Sequence, residues 1–354
     1  MTVFLQWKVI WRCLVLAALC WSVEVRGATG LLMPMYGNTG FQFSQVYEAA
    51  GKVPVIAILN PDDGVGYSKN SWIAGQVNWL KSRGVTVMGY INSQHGWRDA
   101  AEVDDETDKY KLWYKVNGIF VDEVSGASTT LNYYKSIRAY ARLIGIGFTV
   151  LNPGTGISGN FLQAGDVIVD YENPDWRNNF ASSGVAGWVP GNTSRAAGII
   201  YGVPEWKAGR ILDAAAAKGY GWVYVTDKNE PDPFGISASY FNGVVEYLRW
   251  RNHPEEGPAV FKVMSSRLIP VAGANPMAIA APGGMELRVG TIPGHSYEVQ
   301  CSGTMAPGTW RAAGGQQDPS VTLHGVVWAT EQTWTAALPA GSPQCFFRVA
   351  DVTP

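Results

Sequence analysis

At 354 residues the chain is too long for one small domain and suits a barrel of roughly 250 residues with a modest second module. Hydrophobic residues make up 47% and charged residues 16%, which supplies a large core and excludes extended disorder. A formal net charge of −2 excludes the strongly basic surface that nucleic acid requires.

Residues 1–27 read as an export signal. Lys8 and Arg12 precede an apolar run from Cys13 to Val23 that is too short to span a bilayer comfortably, and Val25-Arg26-Gly27 offers a cleavage site before Ala28. Cleavage would remove Lys8, Arg12, Arg26 and Glu24, a net of +2, and take the mature chain from −2 to −4. No later stretch is apolar enough to cross a membrane, so a secreted or cell-surface location is expected. Of the four cysteines, Cys13 and Cys20 leave with the signal, and an exported protein can join the remaining Cys301 and Cys345 in a disulfide. Nothing in the sequence speaks to oligomeric state.

Across residues 28–252 one event recurs: a short apolar run, a polar residue at its end, a loop, and an amphipathic helix. The runs are Gly30 to Tyr36, Val53 to Asn60, Thr86 to Asn92, Gly118 to Val124, Gly147 to Asn152, Asp166 to Glu172, Gly198 to Gly202, and Tyr220 to Asp227. Their ends fall 20 to 32 residues apart, the room a crossover helix needs, and they lack the polar alternation of a sheet wetted on one face. Helices are predicted over Asn70 to Arg83, Thr130 to Ile144 and Trp206 to Lys218. Eight such units predict a (β/α)8 barrel, an α/β TIM barrel. The competing doubly wound sheet would carry a glycine-rich phosphate loop after its first strand, which Met35-Tyr36-Gly37-Asn38-Thr39-Gly40 matches poorly. Residues 253–262 read as a linker. Beyond it, residues 263–354 lose helix signals and show short alternating runs at Met285 to Val289, Tyr297 to Cys301, Ser320 to Leu323 and Cys345 to Val349, predicting a small all-β, sandwich-like module.

Barrels place reacting groups at the carboxyl ends of their strands. Those ends hold Tyr36, Asn60, Asn92, Asp122, Glu123, Asn152, Glu172 and Asp227, with no nucleophile elbow, no cysteine and only His95 among the histidines nearby. Serine, cysteine and zinc chemistry are thereby disfavoured, and no metal or cofactor is called for. Carboxylates at a barrel mouth suit glycoside hydrolysis, in which one acid protonates the leaving oxygen and another attacks or positions water. Successive strand residues face opposite ways, so only one of Asp122 and Glu123 faces the reaction centre unless a bulge intervenes. His95 and Arg98, after strand three, can bind hydroxyls or tune a carboxylate. The acidic run Asp104, Asp105, Glu106 and Asp108 reads as a solvated helix face.

Taken together, these motifs resemble the spherulin-4-like family, relatives of the endo-α-1,4-polygalactosaminidases. The marks are Leu31-Leu32-Met33-Pro34-Met35-Tyr36, Ile58-Leu59-Asn60-Pro61, Gly89-Tyr90-Ile91-Asn92 with Arg98 after it, Trp113-Tyr114, and Gly118-Ile119-Phe120-Val121-Asp122-Glu123. They continue with Leu151-Asn152-Pro153-Gly154-Thr155, Asp170-Tyr171-Glu172 and Tyr224-Val225-Thr226-Asp227. The resemblance implies an endo-acting hydrolase of α-1,4-linked galactosamine or N-acetylgalactosamine polymers. It implies catalysis by Asp122, Glu123 and Glu172, and substrate contacts from Tyr36, Asn60, Tyr90, His95, Arg98, Asn152, Tyr171, Thr226 and Asp227. In an α-linked 2-acetamido sugar the acetamido group is cis to the leaving oxygen and cannot attack from behind, so an enzyme carboxylate must serve. The assignment is Asp122 as nucleophile, Glu172 as general acid and base, and Glu123 as a supporting charge, with retention. The segment Asn92 to His95 departs from the family's pattern and bears on sugar specificity. Rival readings are a barrel that binds polysaccharide at the cell surface without cleaving it, and a glycosidase for another α-linked sugar.

Overall fold

Eight short apolar runs close on themselves in a computed structural model that describes residues 29–253, 263–270, 282–302, 311–312, 324–328, 331–337 and 346–351. The expected export signal and nearly all of the expected linker lie outside the described residues. The strands are β1 Gly30–Met35, β2 Val55–Leu59, β3 Thr86–Asn92, β4 Gly118–Asp122, β5 Phe148–Leu151, β6 Val167–Pro174, β7 Ala196–Tyr201 and β8 Trp222–Val225. They form a closed parallel barrel in sequence order, with β1 meeting β8 through Gly30 against Trp222 and Leu31 against Val223. Leu32, Met33, Ile58, Phe120, Val150, Val169 and Ile200 are wholly buried, as expected for strands covered by side chains within and helices without.

The surrounding helices are α1 Gly40–Ala50, α2 Ser71–Ser82, α3 Ala100–Lys109, α4 Leu131–Leu143, α5 Asp175–Asn178, α6 Glu205–Lys218 and α7 Phe241–Asn252. Their starts follow local chemistry. Asn70 caps α2 by accepting from the amides of Trp72 and Ile73, Thr39 caps α1 through Gln42, and Asp99 caps α3 through Ala101. The periodicity that marked Trp72, Ile73, Val77 and Leu80 on α2 and Tyr133, Tyr134, Ile137 and Leu143 on α4 holds for the buried Ile73, Val77, Leu80, Tyr134 and Ile137, while Trp72 and Leu143 are exposed and Ala141 completes the buried face of α4.

The acidic run on α3 departs from expectation. Asp105 and Asp108 are not the buried members, but Glu106 is only 6% exposed. It accepts from the Val65 amide at 2.9 Å and pairs with Arg98 at 2.6 Å. Helical period alone explains this, since Glu106 stands three residues after the buried Val103.

Past α7 the strands are β9 Val263–Pro270, β10 Pro282–Gly290, β11 His295–Ser302, β12 Arg311–Ala312, β13 His324–Val327, β14 Glu331–Ala337 and β15 Phe346–Asp351. One antiparallel sheet has the order β14-β10-β9, and a second gathers β12, β13 and β15 about β11. The expected run Ser320 to Leu323 lies outside the described residues, and so does Cys345, half of the expected disulfide; Cys301 sits on β11 opposite Phe347. This region meets the barrel on α6 and α7. Trp328 stacks on Tyr240 and donates its indole N–H to Glu205, and His295 Nε2 lies 2.9 Å from Asp213 Oδ2.

Candidate active site

Asp122 ends β4 with its side chain in the barrel mouth. Its Oδ2 accepts from the Tyr90 hydroxyl at 2.9 Å, and its Oδ1 accepts from Asn152 Nδ2 at 2.7 Å and from the Glu123 amide at 2.9 Å. The same Asn152 Nδ2 also donates to Glu172 Oε2. One amide group thus holds two carboxylates. Two hydrogen bonds from one NH2 nitrogen keep the two carboxylate oxygens no more than about 6 Å apart. Asn152 is itself aimed by its carbonyl oxygen, which accepts from the Gly154 amide at 3.1 Å.

The two acids differ electrostatically. Burial, and then the charge of Asp122, push the Glu172 carboxyl up to about 7. Asp122 is also raised by burial, with Glu123 adding repulsion, but the Glu123 amide, Tyr90 and Asn152 stabilise its anion. These bonds favour the anion on Asp122 and leave the shared proton to Glu172, the division of labour an acid–base pair needs. Tyr36 stands in the same mouth, edge-on to Tyr90 and to Phe234 at 5.4 Å each. Burial and the nearby charges of Asp122 and Glu172 raise its phenol well above 10, so it remains a proton-bearing donor.

Glu123 is exposed and takes a left-handed backbone, φ 52°, rare for a residue with a side chain. This turn breaks the strict alternation expected after the strand, so Glu123 keeps its charge near Asp122 while only Asp122 is enclosed. A second strained turn secures it. Gln94 and His95 have φ of 49° and 55°, and the Glu123 carbonyl accepts from the His95 amide at 2.9 Å and the Ser93 hydroxyl at 3.0 Å. His95 acts here through its backbone, and its side chain is exposed.

Several sequence candidates serve the frame of the site. Asn60 Oδ1 accepts from the Gly64 amide and shapes the β2–α2 loop. Arg98 is committed to Glu106 and to the Asn92 carbonyl, away from the carboxylates. Thr226 is buried and caps the Lys228 amide, while Asp227 accepts from the Ser239 amide and Lys228. Those bonds overcome the effect of burial and hold Asp227 below the usual carboxylate range. Tyr171 faces outward: β6 slips register between Val169 and Tyr171, which places Tyr171 edge-on to Phe180 at 4.8 Å while Glu172 enters the mouth.

Sequence reasoning missed Tyr201, whose hydroxyl donates to Glu230 at 3.2 Å and whose phenol is pushed up to about 12 by burial and then Glu230, with Glu172 also contributing. It ends β7 as Tyr36 follows β1, one residue before the Gly202 taken as the strand's end. Arg177 pairs with Glu230 and lies 4.9 Å over the ring of Trp176, which is 59% exposed. Trp97, on the β3–α3 loop, is 89% exposed. Among the described residues no group of His, Cys, Asp or Glu has the arrangement of a metal site, and no helix is long and apolar enough to cross a membrane.

A closed parallel barrel of eight strands with an acid–amide–acid set at the carboxyl ends of its strands defines an α/β TIM-barrel protein with a candidate active site at the barrel mouth. Residues 31–248 match spherulation-specific family 4, and the chain belongs to that family. It is 28% identical over 236 residues to spherulin-4 of Physarum polycephalum, covering 62% of this chain and 71% of that one. Its barrel is also similar to Aspergillus clavatus Sph3, solved in complex with GalNAc, with a TM-score of 0.55 and 18% identity over 64% of this chain and 99% of that one.

Proposed function

We propose that this chain is an exported glycoside hydrolase that cleaves α-1,4-linked galactosamine or N-acetylgalactosamine polymers within the chain and with retention. The observation that carries the reading is the Asn152 amide donating to both Asp122 and Glu172. A shared donor keeps the two acids close, which favours retention, since the carboxyl groups of retaining enzymes stand about 5–5.5 Å apart and those of inverting pairs about 6.5–9.5 Å. Asp122, ionised and backed by Tyr90, attacks the anomeric carbon. Glu172 delivers its proton to the departing glycosidic oxygen. In the second half Glu172 takes a proton from water, which attacks the same carbon and releases Asp122. Glu123, exposed at the rim, adds negative charge that favours the developing oxocarbenium.

The sugar assignment is supported by family membership and by the GalNAc in the Aspergillus clavatus Sph3 complex. Internal cleavage is supported by Trp97 and Trp176, exposed aromatic side chains in the segments that follow β3 and β6, on which neighbouring sugar rings can stack. The test is reducing-end release from α-1,4-linked galactosamine and N-acetylgalactosamine oligomers, with Asp122→Asn and Glu172→Gln beside the parent. Cleavage of either oligomer that both substitutions abolish supports the hydrolase and selects the substrate. Binding without cleavage by the parent would replace it with a polysaccharide-binding role.

A further inference from the structure

The β-module beyond α7 is seated on the barrel through glycine. In α7 a Cβ at Gly243 would stand 2.1 Å from the Trp328 indole, and in α6 a Cβ at Gly209 would stand 2.1 Å from the Gly294 carbonyl oxygen. Gly294, on the module's side, has a left-handed φ of 84°, and a Cβ there would stand 2.8 Å from Gly209 and 2.9 Å from Trp328. Glycine inside a helix is destabilising relative to alanine, so its presence in both helices at one seat is offset by an approach that a side chain would block. Asp213 of α6 adds a polar tie: one oxygen accepts from the Tyr247 hydroxyl, and the other lies 2.9 Å from His295 Nε2.

The seat lies where it can act on the mouth. Because α6 and α7 follow β7 and β8, their first turns stand at the carboxyl ends of the strands. The Trp328 ring stacks on Tyr240, the residue before α7, with centroids 5.8 Å apart and planes at 16°. Its indole N–H donates at 2.9 Å to Glu205, which opens α6. One side chain of the module thereby grips the starts of both helices. From there hydrogen bonds run inward. The buried Tyr240 hydroxyl donates to the Val203 carbonyl at 2.7 Å, and the amides of Gly202 and Val203 donate to the carbonyls of Lys228 and Thr226. The Ser239 amide, beside Tyr240, donates to Asp227. These two segments carry Tyr201, whose phenol is raised in part by the charge of Glu172, and Phe234, which meets Tyr36 edge-on in the mouth.

We infer that the C-terminal module is a brace for the mouth, in which Trp328 fixes the β7–α6 and β8–α7 segments by clamping Tyr240 and Glu205. For the proposed hydrolysis Trp328 is then a positioning residue, a role that rests on the hydrolase reading above, whereas the brace does not. The test is hydrogen–deuterium exchange of the full-length protein over residues 201–207 and 226–241, with residues 123–130, on the far side of the barrel, as reference. Trp328→Ala and Gly243→Ala should each speed exchange about tenfold over both segments and leave the reference within about twofold of the parent. Trp328→Phe keeps a ring on Tyr240, loses the bond to Glu205, and should fall between. Gly243→Ala is the sharper variant, because helix propensity alone would make it stabilising. Once Trp328→Ala has removed the indole, Gly243→Ala should no longer speed exchange. Segments that exchange as in the parent, a change confined to the module, or an even change throughout the barrel would overturn the inference. Should Trp328→Ala fail to fold, Gly243→Ala and Trp328→Phe decide. In a parent that cleaves polymer, kcat should fall about tenfold in Trp328→Ala and recover in part in Trp328→Phe, and an unchanged kcat would overturn the positioning role. A parent that cleaves nothing, beside segments loosened as expected, would count against the hydrolase reading alone.

Discussion

Replacing Glu172 by glutamine should stabilise the protein in alkaline but not in acidic solution. The carboxyl is lifted from its ordinary 4.5 to about 7 by burial and by Asp122. At ~1.36 kcal/mol per pH unit, that gap is worth about 3 kcal/mol between its two protonation states. The sign follows from proton linkage. Between pH 4.5 and 7 the folded chain holds a proton on Glu172 that the unfolded chain has lost, so the group's relative stabilisation is complete below 4.5 and disappears as pH climbs through about 7. A glutamine at this position is neutral throughout and can still accept from Asn152 through its carbonyl. Partial solvent access to Glu172 reduces the gain, leaving about 1–3 kcal/mol for Glu172→Gln at pH 8 and nearly none at pH 4.5. In a barrel of this size that corresponds to a Tm increase of roughly 3–8 °C. The assay is thermal unfolding of parent and variant at both pH values, scored as the difference between them so that other titrating groups cancel. Equal effects at the two pH values, or a loss confined to pH 8, would refute the charged-pair account of this site.

The pH dependence of kcat/KM for the proposed hydrolysis should be bell-shaped, falling above about 7 as Glu172 loses its proton and falling in acid at a point above the ordinary carboxylate value as Asp122 gains one; steady-state rates across pH 4–9 check it. Asn152→Ala removes the donor shared by both acids. With hydrogen bonds to charged groups worth about 1.5–3 kcal/mol, kcat should fall about 10²-fold or more, and the alkaline limb should move upward because the Glu172 anion loses its partner. Arg98→Leu strands the buried Glu106 and should cost about 3–5 kcal/mol in urea unfolding, with much of the loss recovered in the Arg98→Leu, Glu106→Leu double variant.

How far the sequence carried can be read in particular residues. All eight strands were legible because runs such as Val53 to Asn60 are buried on both faces, and their polar last residues pointed to the mouth and hence to Asp122, Asn152 and Glu172. What escaped was set by backbone detail that composition does not encode. The bulge at Asp170 turns Tyr171 outward, and the left-handed turn at Glu123 lets two successive acids remain close. Arg98 looked free to meet substrate and Glu106 looked like a solvated charge because their partnership joins a loop to a helix face across eight residues, and Asp227 looked available because its partners, Lys228 and Ser239, follow it in the β8–α7 loop.

The bridging asparagine carries one more consequence, for the age of the molecule. Asparagine decays when the backbone nitrogen of the following residue attacks its side-chain amide, closing a succinimide that opens to aspartate or isoaspartate. At position 152 that would be ruinous, for the donor between two carboxylates would become a third carboxylate. The next residue is Pro153, whose ring nitrogen bears no hydrogen and cannot close the succinimide. The residue on which the site's charge balance turns is thus shielded by its chain neighbour from the commonest spontaneous lesion of its kind.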